Sequence, residues 1–555
     1  MKKLSQKLTC LLLSGALGVS TLFGGCSKKS GGSDDPNVLD IYLLYKGYQD
    51  EWLTALIDMF KEEEWVKEKY PNLEITYTYD AVQATAGSKL TGGSSMNKYD
   101  ILFSVLLNAY EGKLLADLTD SVYLAEVPGE PGVKVKDKIP DYILDIANWS
   151  DAPTRADGSD SYYYTIYVEG MYGMLYNADI LRTLNLNVPV TTDEFIKCCE
   201  DIEAKGYTYK DASGTEKTTN ASIINASENN YWQRSFDAWW SQYEGKDEYI
   251  NFYKGIDSEL MKRSSSVLKQ QGRLESLKVI ESIFQGGHGY KYAHEEDYMG
   301  AQSSFCMGIG AFHFNGDYFA SEMKATIQSY KEEGIECDIK YMKLPVISAI
   351  VKKLDYRTMN DEYMSDAMLA NIIREIDENI LYENSAYKTQ VSRADFDKIA
   401  EARRIVGYSS ASTQTVGIPS YSPAKELASD FLRFMYTDKA IVEFARASGG
   451  VTLPTTYDYA ANSDVYSQFN RIQKSKYEIN QLTKGTNYET LRLPNALSFP
   501  LGKAGLDALT RYTGKFEVDF TVKTANRTTA EKIYQNEIDY WDEATWTQLC
   551  SAAGY

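Results

Sequence analysis

The segment after residue 37 predicts a strand, a helix and a second strand in succession. Residues 38–45 read VLDIYLLY, an apolar run of the length of a buried strand. Residues 50–68 place apolar side chains at helical spacing, and residues 73–80 then alternate apolar and polar positions. Because this order joins two strands through a helical crossover, it favours a parallel sheet and an α/β fold.

The same patterns recur along the rest of the chain. An aromatic extended run covers residues 162–176. Strands are predicted over 99–104, 305–311, 339–344 and 347–352. Helices are predicted over 82–90, 179–184, 193–206, 227–241, 264–284, 365–379, 393–405, 422–435 and 528–549.

The first 25 residues have the pattern of a secretory signal. Three lysines within the first seven residues precede an apolar stretch over 8–23 that is too short to span a membrane. The stretch ends in Gly-Gly-Cys26, which looks like a bacterial lipoprotein signal. That resemblance implies cleavage before Cys26, lipidation of its thiol, and a flexible tether over 26–37.

Charge and cysteine content exclude several classes of function. The 555 residues carry 58 Lys and Arg against 78 Asp and Glu, a net charge of −20. Such an acidic chain is a poor candidate for binding nucleic acid or an anionic membrane surface through charge. Five cysteines follow Cys26 without CxxC spacing, so we expect buried thiols rather than a zinc site or a disulfide framework.

Catalytic signatures are largely missing from the sequence. It contains neither a GxxxxGK[ST] phosphate loop nor a GxSxG nucleophile elbow. His288 and His294 share an acidic segment, but their spacing matches no strong metal motif. We therefore predict no catalytic residue, no metal and no cofactor, although the carboxylate pair of a glycosidase would need only proximity in the fold.

Three stretches of sequence resemble one family. Residues 173–195 are similar to the pattern G-x-x-Y-N-x-D-x-x … P-x-T-W-D-E-F, with Thr192 in place of Trp. Residues 302–318 are similar to F-x-x-G-x-A-A-M-x-x-N-G-x-W, with Tyr318 where Trp is common, and residues 418–454 resemble a late helix followed by a return crossing. These patterns, in this order, are typical of substrate-binding lipoproteins of carbohydrate ABC transporters, the maltodextrin-binding-protein type.

The resemblance covers the chain up to about residue 455 and implies an α/β architecture. The expected fold is two-lobed and periplasmic-binding-protein-like, with mainly parallel sheets, a hinge and an interlobe cleft. We expect a first lobe of 38–168 plus 411–450, a second lobe of 169–349 plus 451–555, and an insertion over 350–410.

The function implied by the resemblance is capture without catalysis. The protein would bind an oligosaccharide outside the cell and deliver it to ABC transporter permease subunits, held by its lipid at the outer face of the cytoplasmic membrane of a Gram-positive bacterium. Two alternatives stay open: a secreted carbohydrate-active enzyme such as a glycosidase or lyase, and a binder of a peptide or polyamine. The acidic charge favours a cation, whereas 44 tyrosines in a chain that is 13% aromatic favour a sugar.

Aromatic rings that stack on sugars, and polar groups that bind hydroxyls, supply the candidate ligand contacts. The resemblance implies a stacking role for Tyr231 and Trp232, a cleft-lining role for Asn315, Asp317 and Tyr318, and a hydroxyl-binding role for Glu169. Trp239 and Trp240 lie in the same aromatic helix, whose apolar face could equally pack in the core. Four further candidates lie at or just past strand ends of the first lobe, where ligands gather in α/β sheets: Tyr45, Tyr48, Asp80 and Tyr110.

Overall fold

A computed structural model gives the fold. Residues 1–34, which hold the predicted signal and Cys26, lie outside the described residues. The structure describes residues 35, 37–45, 47–80, 89–103, 113–147, 154–168, 170–224, 230–285, 288–290, 296–409, 414–485, 489–491 and 529–552.

Fifteen strands lie within the described residues. They are β1 (Val38–Leu44), β2 (Glu74–Asp80), β3 (Ile101–Phe103), β4 (Thr165–Ile166), β5 (Met171–Asn177), β6 (Tyr207–Lys210), β7 (Glu216–Thr219), β8 (Ile223–Ile224), β9 (Ile256–Asp257), β10 (Lys262–Arg263), β11 (Phe312–Gly316), β12 (Ile339–Met342), β13 (Ile405–Ser409), β14 (Thr415–Gly417) and β15 (Glu489–Leu491).

The α-helices of the described residues follow the same chain order. They are α1 (Glu51–Glu62), α2 (Glu64–Lys69), α3 (Asp141–Ala147), α4 (Ala178–Thr183), α5 (Thr192–Lys205), α6 (Asn230–Glu244), α7 (Lys246–Lys254), α8 (Gln271–Gln285), α9 (Tyr298–Cys306), α10 (Phe319–Glu322), α11 (Lys324–Glu332), α12 (Asp366–Asp377), α13 (Arg393–Arg404), α14 (Lys425–Phe434), α15 (Asp438–Ala447), α16 (Ser463–Tyr466), α17 (Arg471–Gly485), α18 (Ala530–Tyr540) and α19 (Glu543–Ala552).

The first lobe is built on a five-stranded sheet with the order β2-β1-β3-β14-β4. Strand β1 pairs in parallel with β2 and with β3, as the opening strand–helix–strand pattern predicts. Helix α1 covers this sheet with a buried apolar face that includes Trp52, Leu56 and Phe60. The parallel strands end at one edge, so Tyr45 and Asp80 lie side by side there, with the Tyr45 amide donating to the Asp80 carbonyl at 2.8 Å.

The second lobe has a sheet of order β15-β13-β5-β11-β8, with β12 also paired to β5. Strand β5 is antiparallel to β11, β12 and β13, and β14 of the first sheet is antiparallel to both of its neighbours. The two-lobed fold therefore has mixed sheets, whereas mainly parallel sheets were expected. The chain passes from the first lobe to the second between β4 and β5 and returns between β13 and β14, so β13 is antiparallel to β5 and β14 is antiparallel to β4.

Several predicted elements have different limits in the structure. The strand expected over 305–311 is wrong, because Asp297 caps α9 by accepting from the Gly300 amide and the strand begins only at Phe312. Residues 348–353 form a 3-10 helix instead of the strand expected over 347–352. Extended backbone at Glu63 splits the helix expected over 50–68 into α1 and α2.

The domain boundaries also need correction beyond residue 350. Residues 350–408 bury apolar side chains such as Leu369 and Ile399 in the second-lobe core, so this stretch belongs to that lobe. Residues 451–469 were expected in the second lobe, but Val451, Leu453 and Phe469 pack in the first-lobe core. Helix α18 returns to the second lobe through Ala530 and Ile533, so the chain after residue 450 serves both lobes.

Helix α17 lies between the two lobes. Its Tyr477 packs in the first-lobe core, whereas Ile472 and Ile479 pack beneath the second-lobe sheet. The Ser475 hydroxyl accepts the Tyr341 amide of β12 at 2.8 Å. The helix thereby ties first-lobe packing to a strand of the second lobe.

The described residues contain neither a membrane-spanning helix nor a disulfide. None of their helices combines the length and apolar character that crossing a bilayer would demand. All five cysteines beyond Cys26 are free thiols, with Cys198, Cys199 and Cys306 buried. Burial raises the pKa of the Cys198 thiol to about 12, which makes it a structural rather than a reactive group.

Candidate functional site

The lobes touch where the loop after β1 meets the corner between β11 and α10. Gly47 in this loop has φ +80°, and a Cβ built there would lie 2.6 Å from the Tyr318 Cβ. Only glycine permits so close an approach of the first-lobe backbone to the second lobe. The contact brings Tyr48 of the first lobe against Asp317 and Tyr318 of the second.

Asp317 is the polar centre of this contact. Its Oδ1 accepts the Tyr48 hydroxyl at 3.1 Å, and its Oδ2 accepts the Lys476 ammonium of α17 at 2.8 Å. The Asp317 and Lys476 side chains are 1% and 4% exposed. Burial together with the nearby Asp317 carboxylate raises the pKa of Tyr48 well above its ordinary value, so its hydroxyl stays protonated and donates.

Five tyrosines form what we call the interlobe tyrosine cluster: Tyr48, Tyr172, Tyr231, Tyr318 and Tyr408. The Tyr318 ring lies 5.3 Å from that of Tyr48 and 5.7 Å from that of Tyr172. The Tyr172 ring continues the series, 6.2 Å from Tyr231 and 6.4 Å from Tyr408. Tyr172, Tyr231 and Tyr318 keep part of their surface exposed. They supply flat faces with polar rims at the junction of the lobes.

Strand pairing positions the second-lobe members of this cluster. Tyr172 of β5 is the register partner of Tyr408 in the antiparallel strand β13, so both side chains lie on one face of the sheet. The Tyr318 hydroxyl donates to the Tyr172 hydroxyl at 2.5 Å. The Arg234 guanidinium of α6 lies 4.6 Å from the Tyr408 ring and adds a cation beside the cluster.

A second group of half-buried residues lies beside the cluster. The Tyr45 ring is 5.7 Å from that of Tyr79, at the carboxyl end of the first-lobe strands. Burial and the Glu322 carboxylate of α10 raise the pKa of Tyr45 to about 12. Burial also raises the pKa of Glu322, whose Oε2 accepts the Gln302 amide at 2.8 Å. A Cβ built at Gly47, two residues after Tyr45, would lie 2.8 Å from the Glu322 carboxylate, so this carboxyl group lies at the lobe boundary.

Asn315 has a supporting position rather than the expected ligand-facing one. It is 1% exposed, its Oδ1 accepts the Gly316 amide at 2.6 Å, and its Nδ2 lies 2.7 Å from the His313 Nε2. The His313 Nδ1 lies 2.9 Å from the Ile224 carbonyl, which assigns that nitrogen as the donor and Nε2 as the acceptor. Burial lowers the pKa of His313 to about 4, so the ring is neutral and holds the amide that orients the Asp317 corner.

The three predicted tryptophans do not line the cleft. Trp232, Trp239 and Trp240 are each 0% exposed in the second-lobe core. The Trp239 indole donates to the Pro345 carbonyl at 3.0 Å, and the Trp240 indole donates to the Gln270 side chain at 2.8 Å. Helix α6 packs against α8 and the sheet, so its tryptophans are buried in the core. Among the described residues of α6, Tyr231 and Arg234 reach the cluster.

The remaining predicted residues divide between the strand edge and the undescribed part of the chain. Asp80 accepts the Tyr42 hydroxyl at 2.9 Å and lies beside Tyr45. Glu169 and Tyr110 lie outside the described residues. Sequence reasoning missed Tyr172, Tyr408 and Lys476, and the aromatic run over 162–176 was the signal that could have found the first.

The described residues contain no group of three or more His, Cys, Asp and Glu side chains that could hold a metal ion. His288 instead pairs with Glu203 at 2.8 Å, and that carboxylate also accepts the Ser222 hydroxyl. His294 lies outside the described part of the chain.

Comparison with known proteins bears on this architecture. Residues 46–263 match the family model described as bacterial extracellular solute-binding protein, which confirms the family resemblance over that part of the chain. No curated protein gives a match.

Solved structures of other proteins share the fold. A chitin oligosaccharide binding protein has a TM-score of 0.55 at 13% identity, covering 91% of this chain and 99% of its own. A "probable secreted solute-binding lipoprotein" from Streptomyces coelicolor has a TM-score of 0.52 at 15% identity, covering 92% and 99%. The GacH receptor of Streptomyces glaucescens, solved alone and with acarbose, has a TM-score of 0.51 at 14% identity, covering 91% and 97%. At these identities the matches establish the two-lobed fold of solute-binding proteins.

Proposed function

We propose that this protein is the substrate-binding component of a carbohydrate ABC transporter, which captures an oligosaccharide outside the cell and delivers it to permease subunits on other chains. The observation that carries the proposal is the interlobe tyrosine cluster, with carboxyl groups beside it. The family match over residues 46–263 and the sugar-binding relatives support it.

The chemistry of the cluster suits a sugar. A pyranose ring presents C–H groups on its faces and hydroxyls at its edge, so it needs flat aromatic surface and hydrogen-bonding groups together. Tyr318 and Tyr172 offer the surface from the second lobe, and Tyr45 offers it from the first. Glu322 is half-buried between them and provides an oxygen for a hydroxyl.

The connection between the lobes suits capture and release without chemistry. The chain passes between the lobes from β4 to β5 and again from β13 to β14. Two lobes joined at a few positions can move as rigid bodies about them. A ligand that touches both lobes shifts the equilibrium towards closure by its differential affinity for the closed state. The solute leaves unaltered when the lobes separate.

The location we propose is the outer face of the cytoplasmic membrane of a Gram-positive bacterium, through lipid on Cys26. The lipoprotein-like signal over residues 1–26 supports this location. Metabolic labelling with a fatty acid tests it: the wild-type chain should incorporate label and Cys26→Ser should not. Label on neither chain would remove the anchor from the proposal.

A ligand screen by thermal shift tests the transport proposal. Neutral oligosaccharides, polyamines and short peptides are compared at equal concentration, because a ligand at 100 times its Kd stabilises by about 2.7 kcal/mol. We expect stabilisation by one class of neutral oligosaccharide and recovery of that sugar intact by chromatography. Cleaved sugar would favour a carbohydrate-active enzyme, and stabilisation by polyamine or peptide alone would favour a different solute.

A further inference from the structure

Tyr48 already uses the two groups that the proposed sugar site offers at its centre. Its ring lies against the Tyr318 ring at 5.3 Å, and its hydroxyl donates to the Asp317 carboxylate at 3.1 Å. A sugar ring at this position would use the same aromatic face and the same carboxylate oxygen. The Tyr48 side chain is 2% exposed, so the contact between the lobes is dry.

We propose that Tyr48 is a resident occupant of the Tyr318–Asp317 subsite, which holds the lobes together until a sugar takes its place. The inference rests on the proposed function, because it assigns the incoming ligand as a pyranose with a free hydroxyl directed at Asp317. Tyr48 is then a competitor within the protein and not a sugar contact.

The exchange is chemically balanced at Asp317. Its Oδ2 stays paired with Lys476 at 2.8 Å whichever group donates to Oδ1, so the buried carboxylate never loses its countercharge. The phenol hydroxyl and a sugar hydroxyl are both neutral donors to one oxygen. Replacing one by the other therefore trades a hydrogen bond for a similar hydrogen bond, which permits displacement without exposing an unpaired charge.

The loop that carries Tyr48 is built for displacement. Gly47 and Gln49 on either side of it have positive φ values of 80° and 59°, a conformation that only glycine adopts without cost. The Gly47 backbone reaches Tyr318 so closely that a Cβ would contact the Tyr318 Cβ at 2.6 Å and the Glu322 carboxylate at 2.8 Å. The Gln49 carbonyl accepts the Trp52 indole at 3.1 Å, which anchors the strained end of the loop in the first lobe.

Occupation of the subsite by Tyr48 lowers the apparent affinity for sugar. If Tyr48 occupies the subsite for most of the time, the apparent Kd of a sugar exceeds its intrinsic Kd by the inverse of the free fraction. Variants that empty the subsite should therefore bind sugar more tightly. The opposite sign is expected of a residue that contacts the sugar.

The test compares Tyr48→Phe, Tyr48→Ala and the control Tyr99→Phe in calorimetric titrations with the oligosaccharide found in the thermal screen. Tyr99 is a first-lobe tyrosine outside the cluster, and its hydroxyl donates to Thr78 at 3.2 Å. We expect Tyr48→Phe to tighten binding about tenfold, the equivalent of one hydrogen bond to a charged group of about 1.4 kcal/mol. Tyr48→Ala should tighten it at least as much, and Tyr99→Phe should leave it unchanged.

Small-angle X-ray scattering without sugar supplies an independent readout. The radius of gyration of Tyr48→Ala should exceed that of the wild type, and sugar should contract the variant more than the wild type. Circular dichroism melting confirms that each variant is folded. If Tyr48→Ala does not fold, Tyr48→Phe still tests the hydrogen bond, because it keeps the ring and removes only the hydroxyl.

Weaker or unchanged sugar binding by both Tyr48 variants would overturn the inference while leaving the transport proposal intact. If neither the wild type nor any variant binds an oligosaccharide, the transport proposal fails. Scattering then remains as the test of whether the Tyr48 contact holds the lobes together. An unchanged radius of gyration in Tyr48→Ala would then overturn that contact as well.

Discussion

The aromatic helix α6 and the interlobe tyrosine cluster are both dense in rings but have opposite roles. Trp232, Trp239 and Trp240 are wholly enclosed in the second-lobe core. The centre of the Trp240 ring lies within 5 Å of the ring centres of both Tyr249 and Phe252. Tyr172 and Tyr318 instead are half-buried at the boundary of the lobes, where the Tyr318 hydroxyl donates a hydrogen bond to the Tyr172 hydroxyl at 2.5 Å.

The difference shows that aromatic density does not identify a binding surface. An indole in a sheet-covered helix maximises buried area and satisfies its one donor internally. A phenol at a lobe boundary keeps an apolar face and a polar rim that can exchange partners. Substitutions in α6 should therefore change stability, whereas substitutions in the interlobe tyrosine cluster should change sugar affinity.

Trp240→Ala should have the largest effect. Removing this fully buried ring should lower the free energy of unfolding by about 3–5 kcal/mol, through lost burial and the cavity left behind. Urea denaturation measures it, with Trp240→Phe as the milder control. Sugar affinity of the folded fraction should not change, and a large loss of affinity at retained stability would place Trp240 in the site after all.

His313 should make stability depend on pH through its position beneath the Asp317 corner. Its pKa is lowered to about 4 by burial against an ordinary value near 6.5, so between these values the unfolded chain binds a proton that the folded chain does not. Stability should therefore fall as pH drops through this window, by about 3 kcal/mol in total.

The control for this prediction is His313→Gln. At neutral pH the variant should have a lower free energy of unfolding than the wild type. Between pH 6.5 and 4, its free energy of unfolding should fall less steeply than that of the wild type, because the contribution of His313 is gone. Equal slopes in both proteins would mean that His313 is not kept neutral by burial.

Tyr172→Phe should have the smallest effect, within the cluster itself. It removes the hydroxyl that accepts from Tyr318 and should cost about 1 kcal/mol of unfolding free energy. Tyr176→Phe, on the same strand but outside the cluster, should cost less. Thermal melting of the two variants measures the difference, and an equal cost would show that the cluster hydrogen bond contributes nothing.

Local pattern predicted much of the fold. Strand β1 and the limits of α5 and α13 follow from apolar spacing and from cap residues, such as Thr191, which accepts the Glu194 amide. Mixed strand direction was missed because pairing between β5 and β13 joins residues more than two hundred positions apart. Periodicity reports which face of an element is apolar, but not which neighbour covers it.

The residues of the candidate site also fall into two groups: those that local sequence patterns pointed to, and those that only the fold brings together. Tyr48, Asp317 and Tyr318 were candidates from the sequence because they follow a strand end or lie in a family-like motif, and the structure brings them into contact. Lys476 lies 159 positions from Asp317, and Tyr172 lies 146 positions from Tyr318, so only the fold brings them together. The tryptophans of α6 were misassigned because enclosure by the sheet, and not ring chemistry, decides their role.

The most direct test of the central claim is calorimetric titration of a neutral oligosaccharide into the wild type, Tyr318→Ala and Trp239→Phe at matched folded concentration. We expect the wild type and Trp239→Phe to bind with similar affinity, and Tyr318→Ala to lose about 2 kcal/mol of binding free energy, as a central aromatic contact does. Equal affinity in Tyr318→Ala and the wild type would contradict the claim that sugar binds at the interlobe tyrosine cluster.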